Sequence, residues 1–216
     1  MKKWAIAIAA VGAVLAASSE AGAVLLSPGS TVTISGGSAD PTTGPALATA
    51  TVGYNTGAGV TGLVTSRVFR DAITGNLDFL YQVTNDSTSE DTLKRVTIVN
   101  YSGFATEVGY ITGSGDDVPL AADRSGSGQR VGFTFQNTVG GTGTGIEIGK
   151  QSVVFFVKTD SSAFSSGIFA AIDGGSSNVF TYAPAPEPAS GVLFVTGLVG
   201  FGGLLVWRRK TQPATA

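Results

Sequence analysis

The stretch Leu77-Asp78-Phe79-Leu80-Tyr81-Gln82-Val83-Thr84-Asn85 decides the fold class. Leu77, Phe79, Tyr81 and Val83 fall on one side of an extended chain, with Asp78, Gln82 and Thr84 on the other. A period of two is the signature of a half-buried strand, because successive side chains in a strand point to opposite faces. The pattern recurs in Arg130–Asn137, where Val131, Phe133 and Phe135 stand opposite Gly132, Thr134 and Gln136. Gln151–Thr159 differs: from Val153 to Val157 it is apolar on both faces, which predicts a strand covered on each side.

Shorter strands are expected at Thr31–Ser35, Val60–Arg70, Arg95–Tyr101, Ile168–Asp173 and Val179–Tyr182. Turn chemistry separates them at Thr74-Gly75-Asn76, Asn85–Asp91, Gly113–Asp117, Ser125–Gly128, Gly140–Gly145 and Asp173–Asn178. No segment of the body carries an amphipathic helix of three turns. Eight to ten short strands joined by glycine-rich connections predict an all-β antiparallel β-sandwich, jelly-roll or Ig-like, rather than a barrel. The expected core is Phe79, Tyr81, Val83, Val96, Ile98, Phe133, Phe135, Val153, Phe155 and Val157. The short connections also predict a meander of Val60–Arg70, Leu77–Asn85 and Lys94–Tyr101.

Composition removes much of enzyme chemistry. The 216 residues contain no cysteine and no histidine. Disulfides, thiolate nucleophiles, cysteine-based metal sites, imidazole ligands and Ser-His-Asp relays are therefore all absent. The formal net charge of −2 hides a segregation. Lys2, Lys3, Arg208, Arg209 and Lys210 flank two terminal apolar runs, whereas Val24–Ala183 holds eight cations against thirteen acids, a net of −5. Phosphate backbones repel such a body, so nucleic acid is excluded as its partner.

The N-terminus reads as a secretory signal peptide over residues 1–23. Lys2 and Lys3 precede an apolar stretch from Trp4 to Ala17, and Ala21-Gly22-Ala23 supplies small residues for signal peptidase, with cleavage expected before Val24. At the other end, Gly191–Trp207 is seventeen residues without a charge. At 1.5 Å per residue it reaches about 25 Å, and extension back to Ala189 suits a span of the hydrocarbon layer better. It has no polar face to present to water. Trp207 suits an interface, and Arg208, Arg209 and Lys210 would stay on the cytoplasmic side. A transmembrane helix over 189–207 is the expectation, with a short tail at 211–216.

Pro186-Glu187-Pro188, then an apolar run, then Arg208-Arg209-Lys210 close to the C-terminus resembles the PEP-CTERM sorting signal of exported bacterial proteins. The resemblance covers 184–210, and it is specific through order, spacing and position beside a signal peptide. It implies an exosortase as partner, which recognises Pro186, Glu187 and Pro188, and cleavage near that motif. It also implies passage through the secretion translocon, a transient stay in the inner membrane and delivery to the cell surface or extracellular matrix. The prolines hold φ fixed and lack amide donors, so this strip stays extended and open to a membrane-bound protease. The body, from the FLYQVTNDS stretch through the VPLAADRSGSG loop to the late IDGG, is also similar to bodies of this family, without a chemistry to transfer.

Within the body, residues 24–183, no motif specifies catalysis. Asp116 and Asp117 share a glycine loop near Asp123 and Arg124, and Asp71, Asp78 and Glu107 are scattered, so a carboxylate-based hydrolase is the weakest of the alternatives. Asn85–Asp91 concentrates oxygen ligands, with Asp86, Glu90 and Asp91 the candidates for calcium, but lacks EF-hand spacing. Gly140–Gly145 has no Walker lysine and precedes an expected strand at Ile146–Ile148, so it does not read as a phosphate loop. Tyr101 and Tyr110, with Tyr54 and Phe104, could form a stacking platform for extracellular polysaccharide. The leading expectation is an exported, non-enzymatic protein without a cofactor, and the alternative is a carbohydrate-binding or adhesive module.

Overall fold

A computed structural model describes residues 22–38, 40, 42, 44–136 and 145–185. The described residues form β1 (Val24–Leu25), β2 (Thr31–Thr33), β3 (Ala48–Asn55), β4 (Thr61–Arg70), β5 (Leu77–Asn85), β6 (Arg95–Val99), β7 (Thr106–Tyr110), β8 (Val118–Arg124), β9 (Arg130–Gln136), β10 (Phe155–Thr159), β11 (Ala163–Asp173) and β12 (Gly175–Ala185). They contain no helix. One six-stranded sheet has the order β1-β7-β10-β5-β4-β3, and the other β12-β11-β6-β9-β8-β2. Every strand ladder is antiparallel.

The inward side chains of both sheets merge into one core. Tyr81 and Phe155 from the first sheet meet Phe133 and Phe135 from the second, and the Phe133 and Phe155 rings lie 4.6 Å apart. All ten core residues expected from the alternation are buried. Burying large rings in a two-layer arrangement is what lets a chain with so few charged residues fold without disulfides.

The doubly apolar β10 sits inside the first sheet, between β7 and β5. Phe155 and Val157 enter the main core, whereas Val154 and Phe156 join a second cluster with Ala23, Phe69, Leu80 and Ile111 on the sheet's outer face. That face is covered, which is the reason the strand could not alternate.

The expected meander forms only in part. β4 and β5 pair over Gly62–Arg70 as expected. β6, however, belongs to the opposite sheet, where it lies between β11 and β9. The place beside β5 that the meander gave to β6 is taken by β10, and the other edge of β4 pairs with β3, whose small residues ATATVGYN carry too weak an alternation to mark it as a strand. β7 was not expected either, and the VPLAADR segment read as a loop is β8, bent by a bulge between Pro119 and Ala121. Ile146–Ile148 is no strand; Ile146 makes a single bridge to Leu93.

Gly62 shows why one glycine must be a glycine. Tyr54 on β3 lies across it to donate to the Thr84 carbonyl at 2.7 Å, so the ring stacks where a side chain would stand. A Cβ at Gly62 would collide with that carbonyl and with the Tyr54 ring. Aromatic cover of a strand glycine of this kind pins register. Gly62→Ala is expected to lower stability by about 2 kcal/mol, the usual cost of forcing an extra group into a filled site. Urea denaturation checks this, and an unchanged midpoint would place Tyr54 elsewhere.

Candidate functional site

The strand directions give the body two ends. One end carries the β4–β5 turn at 71–76, the 100–105 connection, the β8–β9 turn at 125–129 and the last residues of β12. Ala185, the last described residue, lies at this end. β12 stays paired to its final residue, with Phe164 opposite Pro184 and Ala163 opposite Ala185. It therefore runs two residues past the boundary drawn at Ala183. Pro184 is tolerated because β12 is an edge strand, where a missing N–H costs no ladder bond. The Ser161 hydroxyl secures the end by donating to the Ala163 carbonyl at 2.6 Å and the Ala185 carbonyl at 3.3 Å.

Pro186, Glu187, Pro188, the run at 189–207 and Arg208, Arg209 and Lys210 lie outside the described residues, as does Ala21. Ala23 and Val24 are described. Ala23 packs in the outer cluster, and Val24 pairs with Val108 as the first residue of β1.

Beside the end of β12 lies a groove of about 340 Å³, lined by Asn100, Ser102, Phe104, Gln129, Ser165 and Pro184. Asn100 is held at φ +83°, a left-handed conformation that asparagine tolerates better than most residues. Its amide donates to the Ser166 carbonyl at 3.4 Å. Amides, hydroxyls and one half-buried ring match the chemistry of a sugar's hydroxyls and apolar face.

Two tyrosines proposed for a stacking platform are not at the surface. Tyr101 is completely buried, and its hydroxyl shares a hydrogen bond with Tyr81 at 2.9 Å. The Tyr81 hydroxyl also donates to the Tyr182 carbonyl. Burial pushes both phenols up. Tyr101 is thus a core residue tying the two sheets together, which corrects its assignment as a ligand contact. Tyr54 is committed to Gly62 and Thr84, and Tyr110 is half-buried against the main core. Of the aromatic candidates, Phe104 alone lines the groove.

The acids that looked scattered do converge. Asp71, Asp78, Glu107 and Asp160 line one cleft of about 220 Å³ with Lys158, Thr106 and Thr159. β10 runs between β5 and β7, which sets Lys158 level with both Asp78 and Glu107. Two of these carboxylates already serve the backbone. Asp71 accepts from the amides of Ile73 and Thr74, and Asp160 from the Ala105 amide at 2.9 Å. The Thr74 amide holds the Asp71 carboxyl below the usual range, which suits a turn cap and not a proton donor.

The calcium candidates sit at the opposite end and do not form a donor set. Asp86 lines a depression with Asp116 and Lys150, while Glu90 packs over Gly59. Asp91 accepts from the Thr92 amide at 2.7 Å and pairs with Lys94 at 3.2 Å. Lys94 in turn bridges to Asp173 at 3.0 Å, and these carboxylates raise its pKa. Among the described residues no group of three acids is placed to hold a metal ion, which corrects the assignment to Asp86, Glu90 and Asp91.

Sequence reasoning missed Arg124. Its guanidinium is buried and donates to the carbonyls of Leu26, Tyr101, Phe104 and Gly128 at 2.6 to 3.1 Å. The available signal was parity: in VPLAADR the inward Ala122 implies an inward residue 124 once the segment is recognised as a strand. The described residues also contain no helix long and apolar enough to cross a membrane. Compared with protein-family models, with curated proteins and with solved structures, the chain finds a match in none of the three.

Proposed function

We propose that the chain is an exported, non-enzymatic surface or matrix protein: a jelly-roll or Ig-like β-sandwich delivered by a C-terminal signal of the PEP-CTERM type. In this reading the signal peptide starts translocation, the apolar run at 189–207 halts it, and Arg208, Arg209 and Lys210 fix orientation. An exosortase then acts near Pro186-Glu187-Pro188 and releases the body. The observation that carries the reading is the order within the sequence itself: Pro186-Glu187-Pro188, then an uncharged run to Trp207, then Arg208-Arg209-Lys210.

The test is expression of the full chain in hosts with and without an exosortase, followed by mass mapping of the mature C-terminus. Loss of the residues beyond the motif is expected only in the exosortase-bearing host. An intact Ala216 terminus there sinks the reading.

A second reading, a carbohydrate-binding module of the extracellular polysaccharide, draws on the groove of Asn100, Ser102, Phe104 and Gln129. Glycan binding lost in Phe104→Ala and in Asn100→Asp, with thermal stability retained, would favour it. Tyr101→Ala is not a usable probe because it hollows the core.

A further inference from the structure

We infer that the end of the body bearing the β4–β5 turn rests on the lipid surface while the chain is membrane-inserted, with Ile73 and Leu25 as its contacts. The inference rests on the reading of 189–207 as a membrane span.

The turn itself has no use for Ile73. Asp71 makes the turn: its Oδ1 accepts from the Ile73 amide at 2.9 Å, the Thr74 amide at 2.6 Å and the Thr74 hydroxyl at 3.0 Å. The Gly75 amide closes it onto the Asp71 carbonyl at 2.9 Å, and Gly75 supplies the positive φ of 75°. Arg70 braces it through the Gly75 carbonyl at 2.6 Å. Turns select Asp, Thr and Gly for these reasons. An isoleucine 87% exposed at the apex is explained by none of them. Leu25, 62% exposed, stands on the rim of the cleft that Asp71, Thr74 and Asn76 also line, so the two apolar side chains flank one edge.

The position of Ala185, the last described residue before the run at 189–207, points to the occupant. The Leu77 amide donates to the Ser161 carbonyl at 2.9 Å, and the Ser161 hydroxyl donates to Ala185. The base of the turn and the end of β12 are therefore level, and the turn projects beyond them. From Ala185 to Ala189, where the apolar run begins, four residue steps reach at most about 14 Å. A body tethered that closely brings whatever projects from this end to the bilayer interface. An apolar apex gains by partitioning there, as amphipathic elements do at a depth of about 5–10 Å. Asp71, Glu107 and Asp160 beside it disfavour anionic headgroups, so the surface suits zwitterionic lipid.

The chain has no cysteine, which permits a clean test. Ile73→Cys and, at the opposite end, Thr88→Cys are each labelled with an environment-sensitive dye in the leader-free chain that keeps its C-terminal run. The labelled protein is reconstituted into phosphatidylcholine and phosphatidylethanolamine vesicles carrying lipid-borne quenchers. Severalfold stronger quenching at 73 than at 88 is expected. Leader-free protein retains Trp207 as its sole tryptophan, so its fluorescence reports the span separately. Quenched Trp207 with equal or no quenching at 73 overturns the docking while leaving the sorting reading intact. Unquenched Trp207 overturns both.

Discussion

Phe155→Ala is expected to destabilise the body by about 4 kcal/mol, within the range for deleting a fully buried ring from a filled core. Phe155 lies on β10, inside a sheet, and its ring contacts Tyr81, Phe133 and Phe135 at centroid distances of 5.8, 4.6 and 5.4 Å. Those partners come from both sheets, so the cavity left behind opens between layers that β-strand hydrogen bonds hold apart and that cannot collapse to fill it. The neighbouring Phe156 is the internal control. It packs in the smaller outer cluster with Leu80 and Val154, where the covering chain can settle, and Phe156→Ala is expected to cost about half as much. Equilibrium urea unfolding of the leader-free, tail-free body measures both. Equal losses would mean that β10 does not divide two cores of different size.

Arg124→Met should cost about 3 kcal/mol, although it replaces a charged side chain by an apolar one of similar length. The usual expectation for a buried cation is the reverse, since burial works against the charged form and lowers its pKa. Here the guanidinium is the donor for four carbonyls. They belong to the N-terminal segment, the 100–105 connection and the β8–β9 turn, none of which is satisfied there by a strand ladder. Tyr101 and Phe104 keep the Phe104 amide and the Thr106 hydroxyl as donors, but removing the guanidinium takes the donor from the Leu26 and Gly128 carbonyls, each worth about 1–3 kcal/mol when left dry. Arg124→Lys keeps the charge but presents a single ammonium, and about 1 kcal/mol is expected to return. Amide exchange around residues 100–105 should quicken in the methionine variant ahead of global unfolding. A methionine variant as stable as the parent would show that those carbonyls are reached by water.

The two effects differ in how far they could be foreseen. Phe155 was readable as core from the sequence alone, because VVFFV is apolar at every position and only a strand covered on both faces can carry that. Phe79, Tyr81, Val83, Phe133 and Phe135 were readable from strict alternation. Arg124 was not, because VPLAADR mixes proline, alanine and charge without a clear period, and its bulge between Pro119 and Ala121 shifts the register partway.

Tyr101 makes the same point from the opposite side. It follows a strand and precedes a glycine-bearing loop, which reads as a surface position. Its hydroxyl meets that of Tyr81, 20 residues away in sequence, and Tyr81 in turn donates to the carbonyl of Tyr182 on β12, 101 residues from Tyr81.

The sequence by itself determined which residues share a face and that the body is all-β, since these depend on local period and composition, and the proposed export of the chain rests on the order of residues at its two ends alone. Only the tertiary structure decided which strand lies beside which. It sent β6 to the opposite sheet, brought Asp71, Asp78, Glu107 and Asp160 to one cleft, and set Ile73 at the end that holds the last residues of β12. The physical reason is that alternation fixes the side of a strand on which each residue falls but carries no record of the neighbour. Loop-closure entropy rises only slowly with loop length, so the connection from Asn85 to Lys94 could serve a hairpin or a crossing between sheets at nearly the same cost. The choice between them lies in burial summed over residues far apart along the chain.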